Sequence, residues 1–294
     1  MKKLILIYVL ILIVSCVNAQ KFNGSDIKKG FITCLDNKIY YEEVGEGKPL
    51  ILLHAGYLDC TMWDDQFLFF ANNAYRVVRF DSYAHGKTID GKNSPFLHEL
   101  IKAIVDTLSL GRVNLVGTSL GGVTIIEFAL NHPEDIDKMV LVSTGINGYD
   151  WATDSLFVPN LRKQMEYINN YDTANVAEIF LQSWFDGPFR EPLDMNIGKR
   201  NECKNIILKR FKNHGLRKNS LHSFPKAITR YRDIKSNTLI LIGDQDMPSI
   251  NTISGLLDEG LKNSRRIEIN GVGHLMNIEN PDEFNRIVLS FLKK

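Results

Sequence analysis

The stretch Arg112-Val113-Asn114-Leu115-Val116-Gly117-Thr118-Ser119-Leu120-Gly121-Gly122 decides how the rest of the chain is read. It opens as an apolar run, Val113 to Val116, entered through the turn signal at Gly111. It breaks at Gly117-Thr118-Ser119-Leu120-Gly121 and runs on into Val123 to Leu130, long enough for a helix. Strand, sharp turn and helix form the setting in which a Gly-x-Ser-x-Gly match exposes a reactive serine. A residue at the tip of such a turn has a strained backbone and projects outward. Glycines two positions before and after it leave room where a Cβ would clash. The following helix aims its first N–H groups at the same point, where an oxyanion can be held. A glycine-rich turn that merely joined strand to helix would need none of the partners found further along the chain.

The totals narrow the field. The 294 residues, 44% of them hydrophobic, can bury a large core and suit one α/β domain or one domain with an insertion. Lys+Arg 35 against Asp+Glu 34 gives a net charge of +1, which the two lysines of the leader below lower to −1 on removal. Neither value points to nucleic acid or an anionic membrane as partner. The four cysteines, Cys16, Cys34, Cys60 and Cys203, match no zinc spacing and form no disulfide framework. A Cys34–Cys60 bridge is open in an oxidising compartment, with buried free thiols the favoured reading.

Lys2-Lys3 followed by Leu4 to Val14 reads as the charged and apolar regions of a secretory signal occupying residues 1–19. The run of about 11 residues is too short to span a bilayer. Val17-Asn18-Ala19 favours cleavage before Gln20. Ile13-Val14-Ser15-Cys16 also resembles a bacterial lipobox, which would leave a lipid anchor at Cys16. The mature chain is expected outside the cytoplasm, periplasmic or secreted, with no membrane span.

Along the body, eight short runs read as strands: Phe31 to Leu35, Lys38 to Val44, Leu50 to Leu53, Tyr75 to Phe80, Val113 to Val116, Lys138 to Val142, Thr238 to Ile242 and Arg265 to Ile269. Helical spacing falls at Asp59 to Ala71, Phe96 to Leu108, after Ser119, and at Phe284 to Leu292. Strands alternating with helices, several strands being unbroken apolar runs, predict an α/β fold with a mainly parallel, doubly wound sheet of about eight strands. Ligands of such sheets lie at the C-terminal ends of the strands. His54, Ser119, Asp246 and His274 all fall just after those ends. Residues 147–236 break the alternation with helical stretches at Leu161 to Asn169 and Val176 to Trp184, and predict a helical cap over a core made of 20–146 and 237–294. Most of its aromatics, Trp151, Phe157, Trp184, Phe185 and Phe189, are expected to be core of the cap, with one or two lining a pocket.

These features together resemble the α/β-hydrolase superfamily over nearly the whole chain beyond the leader. The resemblance is carried by Gly117-Thr118-Ser119-Leu120-Gly121-Gly122, His54-Ala55-Gly56, Gly243-Asp244-Gln245-Asp246 and Gly271-Val272-Gly273-His274, with the order serine, acid, histidine. Met62-Trp63 and Trp184-Phe185-Asp186-Gly187-Pro188 are similar to segments of small esterases and enol-lactonase-like hydrolases. The resemblance implies Ser119 as nucleophile, His274 as base, and the backbone N–H groups of Gly56 and Leu120 as oxyanion hole. Asp244 and Asp246 compete as the acid that orients His274, and family position favours Asp246. His54 is expected to brace its loop. Tyr83-Ala84 replaces the usual Arg-Gly of the family's next loop, which changes loop details rather than chemistry.

The implied function is a cofactor-independent serine hydrolase of a small carboxylic ester or lactone. No metal-spaced His/Asp cluster and no Walker-type loop is present in the sequence. A serine nucleophile argues against the haloalkane dehalogenases and epoxide hydrolases, which carry an aspartate there. Hydrolysis of a carbon–carbon bond in a diketone-like substrate is the alternative the same residues could host. A non-catalytic binding protein on the same fold is the rival from another class, and it would not require Asp246 and His274. Substrate identity and oligomeric state are open at the level of sequence.

Overall fold

The computed structural model describes residues 21–191, 195–216 and 221–294. The expected leader, with Cys16 and the cleavage sites around it, lies outside the described residues. Eight strands form one sheet: β1 (Lys28–Cys34), β2 (Asn37–Val44), β3 (Lys48–Leu53), β4 (Tyr75–Phe80), β5 (Val113–Thr118), β6 (Ile136–Val142), β7 (Asn237–Gly243) and β8 (Ser264–Ile269). Their order is β1-β2-β4-β3-β5-β6-β7-β8. The β1–β2 and β2–β4 pairs are antiparallel, and every pair from β4–β3 onward is parallel.

The apolar runs become the central strands because both faces of the sheet are covered. All six residues of β5 are buried. Successive residues of β3 enter opposite cores: Leu50 and Leu52 go to one cluster, Ile51 and Leu53 to the other. On one face lie α1 (Asp64–Ala71) and α9 (Pro281–Leu292), which bring Phe67, Phe70, Phe284 and Val288. On the other lie α2 (Leu97–Thr107), α3 (Leu120–Asn131) and α7 (Pro248–Gly260). Helix α2 buries Leu97, Leu100, Ile101, Ile104 and Val105, the stripe of a one-sided helix. A single short turn, α8 (Met276–Glu279), follows β8 and its loop.

Between β6 and β7 the chain leaves the sheet and forms α4 (Phe157–Asn169), α5 (Thr173–Leu181) and α6 (Ile197–His214). This segment packs into the core beside the sheet. Val176, Ala177, Phe180 and Leu181 of α5 and Ile207 and Phe211 of α6 belong to the same buried cluster as Leu52 and Phe67. Helix α6 had no clear apolar signature because its buried stripe is Cys203, Ile207, Arg210, Phe211 and His214. Two of those five are basic, so hydrophobic periodicity does not show them.

Cys34, Cys60 and Cys203 are buried free thiols. Burial pushes the Cys34 thiol up to about 11 and the Cys203 thiol up to about 12, so neither is poised to react. Among the described residues no helix is long and apolar enough to cross a membrane.

Candidate active site

Ser119 stands between the end of β5 and the start of α3 with φ 55° and ψ −112°. A non-glycine residue held there costs about 1–3 kcal/mol, so its surroundings must enforce it. They do so through packing. A Cβ on Gly117 would meet the carbonyl carbon of Gly121 at 2.5 Å, and one on Gly121 would meet the Leu53 oxygen at 2.3 Å. Strand β3, the turn and α3 therefore close on one another only with glycine at both places. The Ser119 N–H donates to the Val142 carbonyl at 2.9 Å, tying the turn to β6. The side chain itself is half-buried and reachable.

The ends of β7 and β8 supply the next two groups. Nδ1 of His274 lies 3.0 Å from both carboxylate oxygens of Asp246. Both side chains are buried. Asp246 Oδ1 also accepts from the Met247 N–H at 2.7 Å, which fixes the carboxylate. A carboxylate only accepts, so the Nδ1 facing it is the donor and Nε2 is the other ring nitrogen, turned away from Asp246. That nitrogen is buried and has no hydrogen-bond partner among the described residues. Asp244, the competing acid, is turned elsewhere: its Oδ1 accepts from the Gly271 N–H at 2.7 Å and joins the two loops.

The loop after β3 is clamped by two imidazoles. His54 puts Nδ1 2.8 Å from the Ala55 oxygen and accepts the Ser82 N–H on Nε2 at 2.9 Å. His85 puts Nδ1 2.8 Å from the Tyr83 oxygen and accepts the Tyr57 N–H at 3.2 Å. Gly56 sits between these anchors, and a Cβ placed on it would be 3.9 Å from the side chain of Leu120. Gly56 and the first residue of α3 are thus neighbours. The ring of Tyr57 is held by Phe180 at 5.1 Å, Phe211 at 5.0 Å and the Arg210 guanidinium at 4.9 Å. The β6–β7 insertion therefore bears directly on the Gly56 loop.

Burial holds the His85 imidazole well below its ordinary value of 6.5, helped by His54 and Arg210. An unfolded chain takes up this proton near pH 6.5 and the folded one does not. Stability from this group is therefore complete above that pH and is lost as pH falls below it. The urea midpoint should drop between pH 7 and pH 5.5, and the drop should be shallower in His85→Gln. An unchanged slope would assign the acid sensitivity to His98, the other histidine lowered by burial.

Ser119, Leu120 and Val123 face a cavity of about 420 Å³ whose opposite wall includes Trp151, Phe157 and Trp184 from the insertion. The expectation of one or two lining aromatics falls short. Phe185 is core, and Phe189 is exposed. The rings run in sequence, Trp151 to Phe157 at 5.3 Å, Phe157 to Trp184 at 5.2 Å, and Trp184 to the His274 imidazole at 4.4 Å. Trp184 thus touches His274 and also lines the cavity that holds Ser119.

Sequence reading missed what fixes Trp184. Arg190 pairs with Glu279 of α8 and donates to the backbone oxygens of Phe185 and Asp186. Glu279 in turn accepts the N–H of Gly273, next to His274, at 3.1 Å. Burial pushes the Glu279 carboxyl up, against the pull of Arg190. Arg200 grips Asp186 through two 2.7 Å bonds and Glu178 at 2.6 Å. No local sequence signal marks the Arg190–Glu279 pair, which joins positions 89 apart.

Among the described residues, one group has the spacing of a metal ligand set. His132, Glu134 and Asp135 offer ligand atoms within 4.8 Å of one another. They stand beyond the C-terminal end of α3, opposite Ser119, and Asp135 is already 3.2 Å from Lys102.

A family model described as alpha/beta hydrolase fold matches residues 48–281. Among curated proteins, the 2-hydroxy-6-oxononadienedioate/2-hydroxy-6-oxononatrienedioate hydrolase 1 of Pseudomonas putida is 29% identical, over 88% of this chain and 93% of that protein. Among solved structures, a thermophilic esterase from Thermogutta terrifontis superposes with a TM-score of 0.76 at 19% identity, covering 91% of this chain and 98% of its own. The enol-lactonase from Burkholderia xenovorans LB400 gives 0.72 at 19% identity, covering 91% and 100%. At that identity the two structures establish the fold alone.

Proposed function

The chain belongs to the alpha/beta hydrolase fold family, and on that premise we propose that it is a serine hydrolase of small carboxylic esters or lactones. The observation that carries the reading is the placing of His274. Its Nδ1 is spent on Asp246, and its ring lies against Trp184 of the cavity that holds Ser119. A histidine so oriented leaves Nε2 without a partner among the described residues, and Trp184 joins its ring to the cavity where a serine is held in a strained turn.

In the proposed reaction, Ser119 Oγ attacks the substrate carbonyl and gives its proton to His274 Nε2. The N–H groups of Gly56 and Leu120 hold the resulting oxyanion. Its collapse expels the alcohol, which takes the proton from His274, and leaves an acyl group on Ser119. Water, deprotonated by the same nitrogen, attacks the acyl carbon and releases the acid, and the proton returns to Ser119. Asp246 keeps its charge throughout and stabilises the imidazolium.

A second reading is favoured by the curated relatives. A hydroxy-oxo-dienedioate contains a ketone and carboxylates but no ester, so a hydrolase named for it breaks a carbon–carbon bond beside the ketone. The same serine, histidine and oxyanion groups could serve that reaction.

A turnover screen separates the readings. p-Nitrophenyl esters of increasing chain length and simple lactones are expected to be hydrolysed, and a serine-directed phosphonate should label Ser119. Turnover of a vinylogous diketone with none of any ester or lactone would move the assignment to carbon–carbon cleavage. A parent protein that takes no label and turns over none of these would be a binding protein on a hydrolase scaffold.

A further inference from the structure

Residues 184–190 of the β6–β7 insertion lie against both loops that carry the acid and the base. On one side is the turn of Asp246. A Cβ on Gly187, whose φ is 75°, would stand 2.6 Å from the oxygen of Gln245, one residue before Asp246. On the other side is the loop of His274. A Cβ on Gly273 would stand 2.5 Å from Nη2 of Arg190. The approach is that close because neither glycine carries a side chain. The two loops also hold each other, since the Gln245 N–H donates to the Val272 oxygen at 3.1 Å.

Arg190 joins two supports of His274. Its side chain is 8% exposed and that of Glu279 is 9% exposed, so the pair is set in the protein rather than on its surface. Nη1 donates to Glu279 Oε2, Nη2 to the Phe185 oxygen, and Nε to the Asp186 oxygen at 2.8 Å. The other carboxylate oxygen, Oε1, accepts the Gly273 N–H at 3.1 Å, so the residue directly before His274 hangs on Glu279. Phe185 and Asp186 directly follow Trp184, whose ring lies 4.4 Å from the imidazole. One planar guanidinium thus fixes the backbone that leads into His274 and the ring that packs on it. Asp246 restrains the imidazole at Nδ1, a single point about which a ring can tilt. The placing of Nε2 falls to the other two supports.

We propose that Arg190 is a positioning residue for His274, acting through Glu279 and Trp184. The insertion then completes the catalytic frame as well as the cavity wall. Displacing a reacting group by about 1 Å costs on the order of 10²-fold in rate. The loss should fall on kcat, because Val123, Trp151 and Phe157 of the wall stay where they are. This assignment rests on the reading of His274 as the base and adds what places it.

The test follows His274 with turnover and without it. kcat and KM for a p-nitrophenyl ester are measured below each variant's thermal midpoint. The proton that Nδ1 donates to Asp246 is followed by NMR in water, its line assigned by its loss in His274→Ala. Arg190→Ala should lower kcat about 10²-fold with KM within about threefold, and should speed exchange of that proton with water. Arg190→Lys keeps a charge opposite Glu279 but not the fork, and should fall between Arg190→Ala and the parent. Millimolar guanidinium ion, which can enter through the cavity of about 490 Å³ that Gly187, Arg190 and Arg200 line, should restore most of the kcat of Arg190→Ala. It should restore none when Glu279→Gln is added. Arg190→Lys and Glu279→Gln nearly preserve volume, so they carry the same test if Arg190→Ala does not fold. Folded variants with the parent's kcat and the parent's line overturn the assignment. So does a rise in KM at unchanged kcat, which would make the pair a support of the wall only. A kcat loss that leaves the line unchanged, or that guanidinium restores without Glu279, overturns it too, as does a parent without the line. A parent that hydrolyses esters, with variants like itself, keeps the hydrolase reading and loses this one. A parent that hydrolyses nothing loses the hydrolase reading, and the line alone then decides whether Arg190 holds His274.

Discussion

Ser119→Ala should abolish hydrolysis of every ester and lactone that the parent accepts, by on the order of 10⁴-fold or more in kcat. The size follows from what is removed. The hydroxyl is the only group at the tip of the β5–α3 turn able to form the acyl bond, and no neighbour in the described wall could replace it. The fold should barely notice. The backbone N–H of residue 119 still donates to Val142. Alanine meets the positive φ much as serine does, and a half-buried hydroxyl contributes little packing, so the stability change should stay within about 0.5 kcal/mol. His274→Ala should be as damaging, because base and nucleophile act as one unit. The double variant should be no worse than either single one. The measurement is kcat and KM for a p-nitrophenyl ester, with thermal midpoints alongside. Residual activity within tenfold of the parent, at an intact midpoint, would remove Ser119 from the chemistry and the acyl-enzyme with it.

How much of this was readable in the chain depends on how local each signal is. The central strands were legible because a strand buried on both faces is mostly apolar, as Leu50 to Leu53 and, but for Asn114, Val113 to Val116 are. The elbow was legible because close approach of β3 and α3 demands glycine at 117 and 121, and glycine is visible as a letter. Helix α7 went unread, although Pro248 at its first position and Ile250, Ile253 and Leu257 mark it in the sequence. Helix α6 was hidden for a physical reason: it buries Arg210 against Tyr57 and His214 against Asp90 and Gly86, so its inner face looks polar. His214 faces Asp90 at 2.8 Å across 124 positions, a pairing no window of sequence can announce. The same holds for Arg190 with Glu279 and for His222 with Glu127. Each joins residues about ninety positions apart. The two candidate acids show the limit most clearly. Asp244 and Asp246 sit two positions apart in one turn; family position favours Asp246, and the direction each side chain takes separates them physically.

That separation yields the last prediction. Asp246→Asn should lower kcat/KM by about 10³–10⁴-fold, and Asp244→Asn by no more than about threefold, on the scale set by other serine–histidine–acid sites. Asparagine keeps the shape of Asp246, so the buried pocket stays filled and the Met247 N–H keeps an oxygen to donate to. What changes is the partner of His274. An amide offers one oxygen where the carboxylate offers two at 3.0 Å. Its NH₂ can face Nδ1 only if the imidazole proton moves to Nε2, where it blocks the position that must accept from Ser119. The charge that would stabilise an imidazolium is lost as well. The effect should fall mainly on kcat, since the cavity wall is untouched. At Asp244 the argument runs the other way. Asparagine there still presents Oδ1 to the Gly271 N–H, so the bond between the β7 and β8 loops survives. Asp244→Ala breaks that bond and should cost about 1 kcal/mol of stability while leaving kcat near the parent's value. Steady-state kinetics of the three variants, with urea midpoints for each, decides the matter. A larger catalytic loss at Asp244 than at Asp246 would reassign the acid. The 3.0 Å contact between Asp246 and His274 would then be a structural pair only.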